Sequence, residues 1–598
     1  MAGPQDIAER LRALRAALRD SGLHAYVALS SDPHLSEYLP ERWQGRQWLS
    51  GFDGSAGTLV VTDGFAGLWT DSRYWEQADN ALANTGIATM RAGAPDVPGP
   101  AQWLAGQLPQ GARVNIDGDV LSLQAQRQWH DALSKSGIEL VHDRDALDGI
   151  WASRPAPPSR PVFEHLPPHA CRTRSENLAA LRAAMREHGA GWHLLSSLDD
   201  IAWLFNLRGG DVSYNPVFLS YALIGHAEAR LYLAPEKISA SLRRALAADG
   251  IRVEPYEAIA GALAGLAEDQ VLLVDPARTT VGLLRAAERA GKVEALNPTQ
   301  LLKSRKNAAE IDNVRAAMEQ DGAALCEFFA WFEAAQGAER ITELTIDEKI
   351  TAARGRRRGF VSPSFGTIAA YAANGAMPHY HATEDAHAVI EGDGLLLIDS
   401  GGQYLNGTTD ITRVVPVGRV SAEQKRDYTA VLKGMIALSQ AVFPEGLAAP
   451  LLDAIARAPI WRSGAEYGHG TGHGVGYFMN VHEGPQSIAY RATVTPHSAM
   501  LPGMITSNEP GLYRPGKWGI RIENLVLATP ACTTEFGSFL RFETLTLCPI
   551  DTRCVDAGML SADERDWLNR YHEHVRHRLE PLVDGPAREW LLLRTQAI

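Results

Sequence analysis

The chain has 598 residues, with 57 basic against 70 acidic groups for a formal charge of −13, 45% hydrophobic and 21% charged residues. Those proportions describe a folded globular chain and exclude intrinsic disorder and small stapled scaffolds. At about 100–200 residues per domain, three to five domains are expected, and the acidic balance argues against nucleic acid or an anionic membrane as a partner.

The first segment places Ile7, Leu11, Leu14 and Leu18 on one stripe of a helix, while Asp6, Glu9 and Asp20 break any signal or transit pattern. An amphipathic surface helix of a cytoplasmic protein is expected. No stretch approaches the ~20 apolar residues needed to cross a bilayer. Five cysteines, Cys171, Cys326, Cys532, Cys548 and Cys554, are odd in number and lack a CxxC spacing, which suits a reducing compartment better than a disulfide framework or a thiolate zinc site.

Six prolines between Pro155 and Pro168 neither continue a helix nor donate to a sheet ladder, so extended connector is expected there. On either side the chain repeats itself. LRALRAALRDSGLHAYVALSSD, from Leu11, and LAALRAAMREHGAGWHLLSSLD, from Leu178, both read as amphipathic helix, Gly stop, apolar strand and Ser-rich turn. Duplicated α/β modules follow, rather than a short-period solenoid. A second boundary falls near Leu302–Asn307, before a helical pattern through Ile311, Val314, Met318, Leu325 and Phe329. The domains expected are therefore 1–155, 156–305 and 306–598. Phe328, Phe329, Trp331 and Phe332 read as core packing. The basic run Arg354–Arg358 reads as a solvated helix end.

Chemistry concentrates in the last domain. GDGLLLIDSGGQYLNGTTDITRVVPV reads as an apolar strand closed by Asp399, a Gly-rich turn and a returning strand opened by Asp410. A carboxylate ending so apolar a run needs a cation or strong donors; alone, both aspartates would be ordinary turn caps. In GHGTGHGVGYFMNVHEGP, alternate glycines allow close backbone approach around His469, His473 and His482, and three imidazoles so close together favour a site. Glu509 precedes Pro-Gly, and Glu523 lies among Ile520, Ile522, Leu525 and Val526, where a salt bridge with Arg521 is its plain structural explanation.

Taken together, Asp399, Asp410, His473, Glu509 and Glu523 form an oxygen-rich set suited to hard or borderline divalent ions such as Mn²⁺. Four converging carboxylates without metal would repel and bind protons, whereas two divalent cations would compensate the charge and hold a hydroxide between them. No HExxH helix, GxGxxG, GxSxG or GxxxxGK[ST] motif occurs, so zincin, dinucleotide, serine-hydrolase and P-loop chemistries are set aside.

In LIDSGGQYLNGTTDITR, GHGTGHGVGYFMNVHEGP, SNEPGLY and GIRIENL, taken in that order, the chain resembles the pita-bread metallopeptidases of family M24B, in their three-domain aminopeptidase P branch. The resemblance extends to SGFDGSAGTLVVTDGFAGLWTDSRYWEQA in the first module and RFETLTLCPIDTRCVDAGML near the C-terminus. It implies α/β and α+β architecture: two creatinase/prolidase-like N-terminal α/β domains, then a pita-bread catalytic domain. It also implies hydrolysis of the N-terminal Xaa-Pro bond of peptides through a dimetal-bridging hydroxide. Asp399 would chelate one metal, Asp410 and Glu523 would bridge, and His473 with Glu509 would bind the other. Mn²⁺ is the expected ion, with Zn²⁺ or Co²⁺ as alternatives. Glu509 would also be the general base. His379, His469 and His482 would be the substrate histidines, Arg521 would orient a carboxylate, and His381 and His387 would be surface residues. The resemblance implies peptides with proline second as substrates and a homodimer as the assembly. Arg73 would make a turn salt bridge. The rival readings are a prolidase, which shares the ligand set but cuts only dipeptides, and a metal-free binding module on the same fold.

Overall fold

Ile7, Leu11, Leu14 and Leu18 form the buried face of a helix, Pro4–Asp20, that covers the first sheet. The computed structural model describes residues 3–598. They divide into one unit of Met1–Leu166 with Arg172–Gln300 and a second of Pro167–Cys171 with Leu301–Ile598.

The internal repeat seen in the sequence is a repeat of topology within the first unit. Its first sheet runs, edge to edge, Ala88–Arg91, Ala66–Thr70, Thr58–Thr62, Ala25–Ala28, Arg113–Asn115 and Glu139–Val141. The second runs Ile251–Glu254, Ala229–Tyr232, Tyr221–Gly225, Trp192–Leu195, Val271–Val274 and Gly291–Glu294. In both, the second and third of the five pairings are antiparallel and the other three are parallel. The central strands are buried on both faces, as the neighbours Tyr26 and Val27 in one sheet and Leu194 and Leu195 in the other show, because helices or loops cover each side. Arg73 pairs with Asp71 across a turn through two contacts of 2.7 Å.

The second unit opens with a long helix, Ala308–Ala335, started by a capping box in which Asn307 accepts from the Glu310 amide and Glu310 accepts from that of Asn307. Phe328, Phe329 and Phe332 are buried in its core, and Trp331 packs against them. The helix Glu343–Gly355 ends in the basic run, but Arg354 is not solvated: it is buried and donates to Asp321 at 2.7 Å. An isolated buried guanidinium is too costly to leave unpaired, and Asp321 lies on the facing helix.

Two antiparallel sheets carry the chemistry-bearing side chains. One orders Ile368–Tyr371, Gly394–Ser400 and Ile411–Val417; the other orders Val442–Pro444, Gly537–Thr544, Asn524–Thr534 and Ile505–Asn508. A separate hairpin pairs Gly511–Arg514 with Trp518–Arg521. The Gly-rich turn between Asp399 and Asp410 is more than a turn: Gly402–Tyr404 and Gly407–Thr408 pair with each other, and the former also with Phe360–Pro363. Helices Ala422–Ser439 and Ala562–Leu579 complete the core. No described helix is long and apolar enough to cross a membrane.

Candidate metal centre

Pairing register brings the first two carboxylates together. Ser400 faces Ile411, and Asp399 faces Thr412, across the antiparallel pair Gly394–Ser400 and Ile411–Val417. Asp399 therefore ends one strand beside the start of the next, where Asp410 stands. Both are buried, at 8% and 4% exposure.

The histidine arrives on a short strand, Gly472–His473. Gly472 admits no side chain, since a Cβ there would lie 2.1 Å from the Ser507 carbonyl oxygen. Ser507 ties two of the candidates together: its hydroxyl accepts from the His473 amide at 3.0 Å and donates to Glu509 Oε1 at 3.0 Å. Glu509 follows the strand Ile505–Asn508, and its own amide donates to the Thr471 carbonyl. Glu523 lies between Trp518–Arg521 and Asn524–Thr534, 1% exposed, with its amide donating to Thr412.

Four of the five side chains singled out in the sequence lie close together, and Asp399 acts on them through its charge. Ligand atoms of Asp410, His473 and Glu523 all lie within 4.8 Å of one another. His473 Nε2 stands 3.4 Å from both Asp410 Oδ2 and Glu509 Oε1. Its Nδ1 is 2.9 Å from the Gly474 carbonyl, so Nδ1–H donates there and Nε2 is the nitrogen that faces the carboxylates and would be offered to a cation.

Electrostatics bear the mark of crowded, desolvated acids. Burial pushes the Asp399 carboxyl up to about 7, opposed by the Arg521 guanidinium and reinforced by Asp410 and Glu509. Burial likewise raises Glu509 and, further, Glu523, with the neighbouring acidic charges of Asp410, Glu509 and Asp399 adding to the latter. Burial pulls the His473 imidazole down, but Asp410 and Glu509 outweigh it and bring the imidazole up to about 9. Among the described residues, no hydrogen-bond donor reaches two buried carboxylate oxygens, Asp399 Oδ1 and Glu523 Oε1. Orphaned acceptors of this kind are costly, and divalent cations would satisfy them; the donor set fits such ions.

Arg521 does not pair with Glu523, as proximity in sequence suggested. Its side chain instead reaches Asp399, where Nη2 donates to Oδ2 at 2.6 Å, while Nε donates to Thr412 Oγ1 at 3.1 Å and Nη1 to the Tyr513 hydroxyl at 2.7 Å. The Thr412 hydroxyl in turn donates to Glu523 Oε2 at 2.8 Å. Tyr513 stands 2.7 Å from His469 Nε2, and His469 Nδ1 2.8 Å from the Gly470 carbonyl. Thr412, Ser507 and Tyr513 escaped the sequence reading. Ser507 and Tyr513 flank Glu509 in SNEPGLY, which was their available signal; Thr412 had only its position two residues beyond Asp410.

The remaining histidines differ in placement. His482 stacks edge-on against His473 with ring centroids 4.3 Å apart, and its charge acts on Glu509. His379 is half-buried and follows a 3-10 turn, Ala372–Ala376, that packs against the strand carrying Arg521. Buried Glu343 holds that segment, accepting from the Tyr371 and Ala388 amides and from the Asn374 and Tyr380 side chains. His381 is exposed, and His387 bonds locally to the Thr383 carbonyl.

Comparison with known proteins adds the family. The profile of metallopeptidase family M24 matches residues 312–530, that of the C-terminal region of peptidase M24 matches 538–598, and creatinase/prolidase N-terminal domain profiles match 10–145 and 153–310. Aminopeptidase P2 of Arabidopsis thaliana is 38% identical, covering 99% of this chain and 88% of its own length. A probable Xaa-Pro aminopeptidase P of Sordaria macrospora is 37% identical over 98% of both chains. The crystal structure of X-prolyl aminopeptidase from Caenorhabditis elegans, described as a cytosolic enzyme with a di-nuclear active site, is similar at a TM-score of 0.94 and 31% identity, covering 99% of this chain and 100% of the other. Fold and site together define a metallopeptidase of family M24, with two creatinase/prolidase-type domains ahead of a pita-bread domain. Within that class the chain belongs to the Xaa-Pro aminopeptidase P family.

Proposed function

We propose that this protein removes the first residue from peptides whose second residue is proline, with two divalent cations held by Asp399, Asp410, His473, Glu509 and Glu523. The observation that carries the reading is the meeting of Asp410, His473, Glu509 and Glu523 at a buried point within reach of the charge of Asp399, with no donor from any described residue to Asp399 Oδ1 or Glu523 Oε1. The full-length likeness to proteins named Xaa-Pro or X-prolyl aminopeptidase supports the substrate class. Mn²⁺ is the ion proposed, with Zn²⁺ or Co²⁺ as alternatives for the same oxygen-rich set. Division of the chain at 1–155, 156–305 and 306–598 belongs to the same reading.

Bound divalent cations would acidify a water and polarise the scissile carbonyl. Glu509 takes the proton from the attacking water and delivers it to the proline nitrogen, which leaves as a secondary amine. Burial raises its carboxyl in the direction a proton carrier near neutral pH requires. His379, His469 and His482 stabilise the developing oxyanion or orient the peptide. The bond before proline is a tertiary amide with no N–H, so recognition rests on the carbonyl, the ring and the free α-amino group rather than on a backbone donor.

Cytoplasmic location and a homodimer complete the proposal. Five free cysteines and the relative described as cytosolic support the first. Exposed Leu451, Ile455 and Trp461, on the helix Asp453–Trp461 and the turn before it, support the second. One assay decides between readings: the purified protein with Mn²⁺ is given Arg-Pro-Pro and an Xaa-Pro dipeptide. Free arginine from the tripeptide is expected. Activity confined to the dipeptide would make the protein a prolidase, and no cleavage with no bound metal would leave a binding module.

A further inference from the structure

We propose that Lys306 and Glu483 form a buried clamp that sets the spacing of His473 and His482, and so act as positioning residues for the metal centre. The roles of those two histidines rest on the function proposed above. The clamp itself rests on the following geometry.

Three charged side chains, Lys303, Lys306 and Glu483, are buried together at 5%, 4% and 3% exposure. Lys306 Nζ donates to Glu483 Oε1 at 2.7 Å and to the Val475 carbonyl at 2.6 Å, and Lys303 Nζ lies 3.6 Å from Glu483 Oε2. One ammonium thus spans both limbs of the loop between His473 and His482. The neck of that loop is closed by the Glu483 amide donating to the Gly474 carbonyl at 2.8 Å. Gly474 is pressed so near that a Cβ would lie 1.9 Å from the Glu483 carbonyl oxygen. His473 immediately precedes Gly474, and His482 immediately precedes Glu483. Their rings meet at 4.3 Å and 80°.

Lys306 is itself anchored, its amide donating to the Gly503 carbonyl at 2.9 Å. Burying such a set of charges costs several kcal/mol per ion, and apolar side chains of similar volume generally serve stability as well or better. Apolar side chains lack the directional bonds that tie one limb to the other. Sub-ångström control of reacting groups is where such bonds matter most.

The test uses Lys306→Met, which leaves Glu483 paired with Lys303, together with Lys306→Arg and Glu483→Gln in the full-length protein. The ring resonances of His473 and His482 are followed in metal-free protein carrying ¹³C-labelled histidine, assigned through His473→Gln and His482→Gln. We expect Lys306→Met to move both resonances while that of His193, in the other unit, stays in place. With Mn²⁺ and Arg-Pro-Pro, kcat should fall at least about tenfold with KM little changed, and Lys306→Arg should recover most of it. A folded Lys306→Met protein with unmoved His473 and His482 resonances would overturn the clamp. If Lys306→Met does not fold, Glu483→Gln is judged by the same resonances. Moved resonances in a protein whose wild type cleaves no Xaa-Pro peptide would uphold the clamp and discard the proposed function instead.

Discussion

Arg521 holds Asp399 by a 2.6 Å bond from Nη2 to Oδ2 and, through Nη1, holds Tyr513 at 2.7 Å. The guanidinium opposes the effect of burial on Asp399 and so favours the charged form that the proposed metal binding needs. Lysine offers a point charge without the planar fork. Arg521→Lys is expected to weaken Mn²⁺ binding and kcat/KM by about 10–100-fold, the usual cost of losing an outer-shell partner. Calorimetric metal titration beside steady-state kinetics checks it; unchanged affinity would remove Arg521 from that role.

Glu509 accepts from Ser507 at 3.0 Å and sits 3.4 Å from His473. Glutamine keeps the shape but carries no exchangeable carboxyl proton. Glu509→Gln should lower kcat by about 10²–10⁴-fold with a much smaller change in KM, measured on Arg-Pro-Pro. Retained turnover would assign proton transfer elsewhere.

Converging carboxylates repel when no cation lies between them, so metal should stabilise the fold as well as support catalysis. Chelation is expected to abolish cleavage and lower the melting temperature, with Mn²⁺ restoring both; at a hundredfold excess over Kd the gain is about 2.7 kcal/mol. Melting curves with and without EDTA read this independently of turnover, and coincident curves would count against a cation at this site.

Gly474 has no room for a side chain, because a Cβ would fall 1.9 Å from the Glu483 carbonyl oxygen. Gly474→Ala must therefore open the neck of the loop. A loss of about 1–3 kcal/mol is expected from such overpacking, read by chemical denaturation, along with loss of activity. Wild-type stability in this variant would show the neck to be pliant.

His193 is fully buried in the first unit, its Nδ1 bonded to the Leu273 carbonyl at 3.0 Å and its Nε2 without a partner among the described residues. Burial takes its imidazole down to about 4. The unfolded chain, with an ordinary histidine near 6.5, binds the extra proton between those values. The contribution of His193 to stability is therefore complete above about pH 6.5 and is lost as pH falls toward 4. His193→Asn lacks this dependence, so its deficit against wild type should shrink by about 2 kcal/mol between pH 7.5 and pH 5. Urea unfolding at both values tests it, and a constant deficit would mean that the folded protein accepts the proton.

Much of the architecture was legible from local pattern. The stripe from Ile7 to Leu18, the repeat at Leu11 and Leu178, and the helix through Val314 and Phe329 are set by spacing between near neighbours, which periodicity reads directly. The candidate ligands were legible too, since Asp399 ends a strand too apolar for an unpaired charge and three histidines punctuate a glycine run. Other readings failed for want of a partner: Arg354 looked like a solvated helix end until Asp321 appeared on the facing helix. Arg521, read both as a companion of Glu523 and as the residue that orients a carboxylate, reaches Asp399 and not Glu523.

Residue types, their order and their short-range periodicity thus suffice for the elements, the duplicated front half and the roster of acids and imidazoles. Which of those groups share a point in space was decided only by folding. Sheet register sets Asp399 against Thr412, Ser507 joins His473 to Glu509, and buried Lys306 gathers the two limbs that carry His473 and His482. Apart from the local Ser507–Glu509 bond, those contacts link positions from 13 to 177 residues apart. No local propensity encodes them, because their energies arise when strands pair and water leaves.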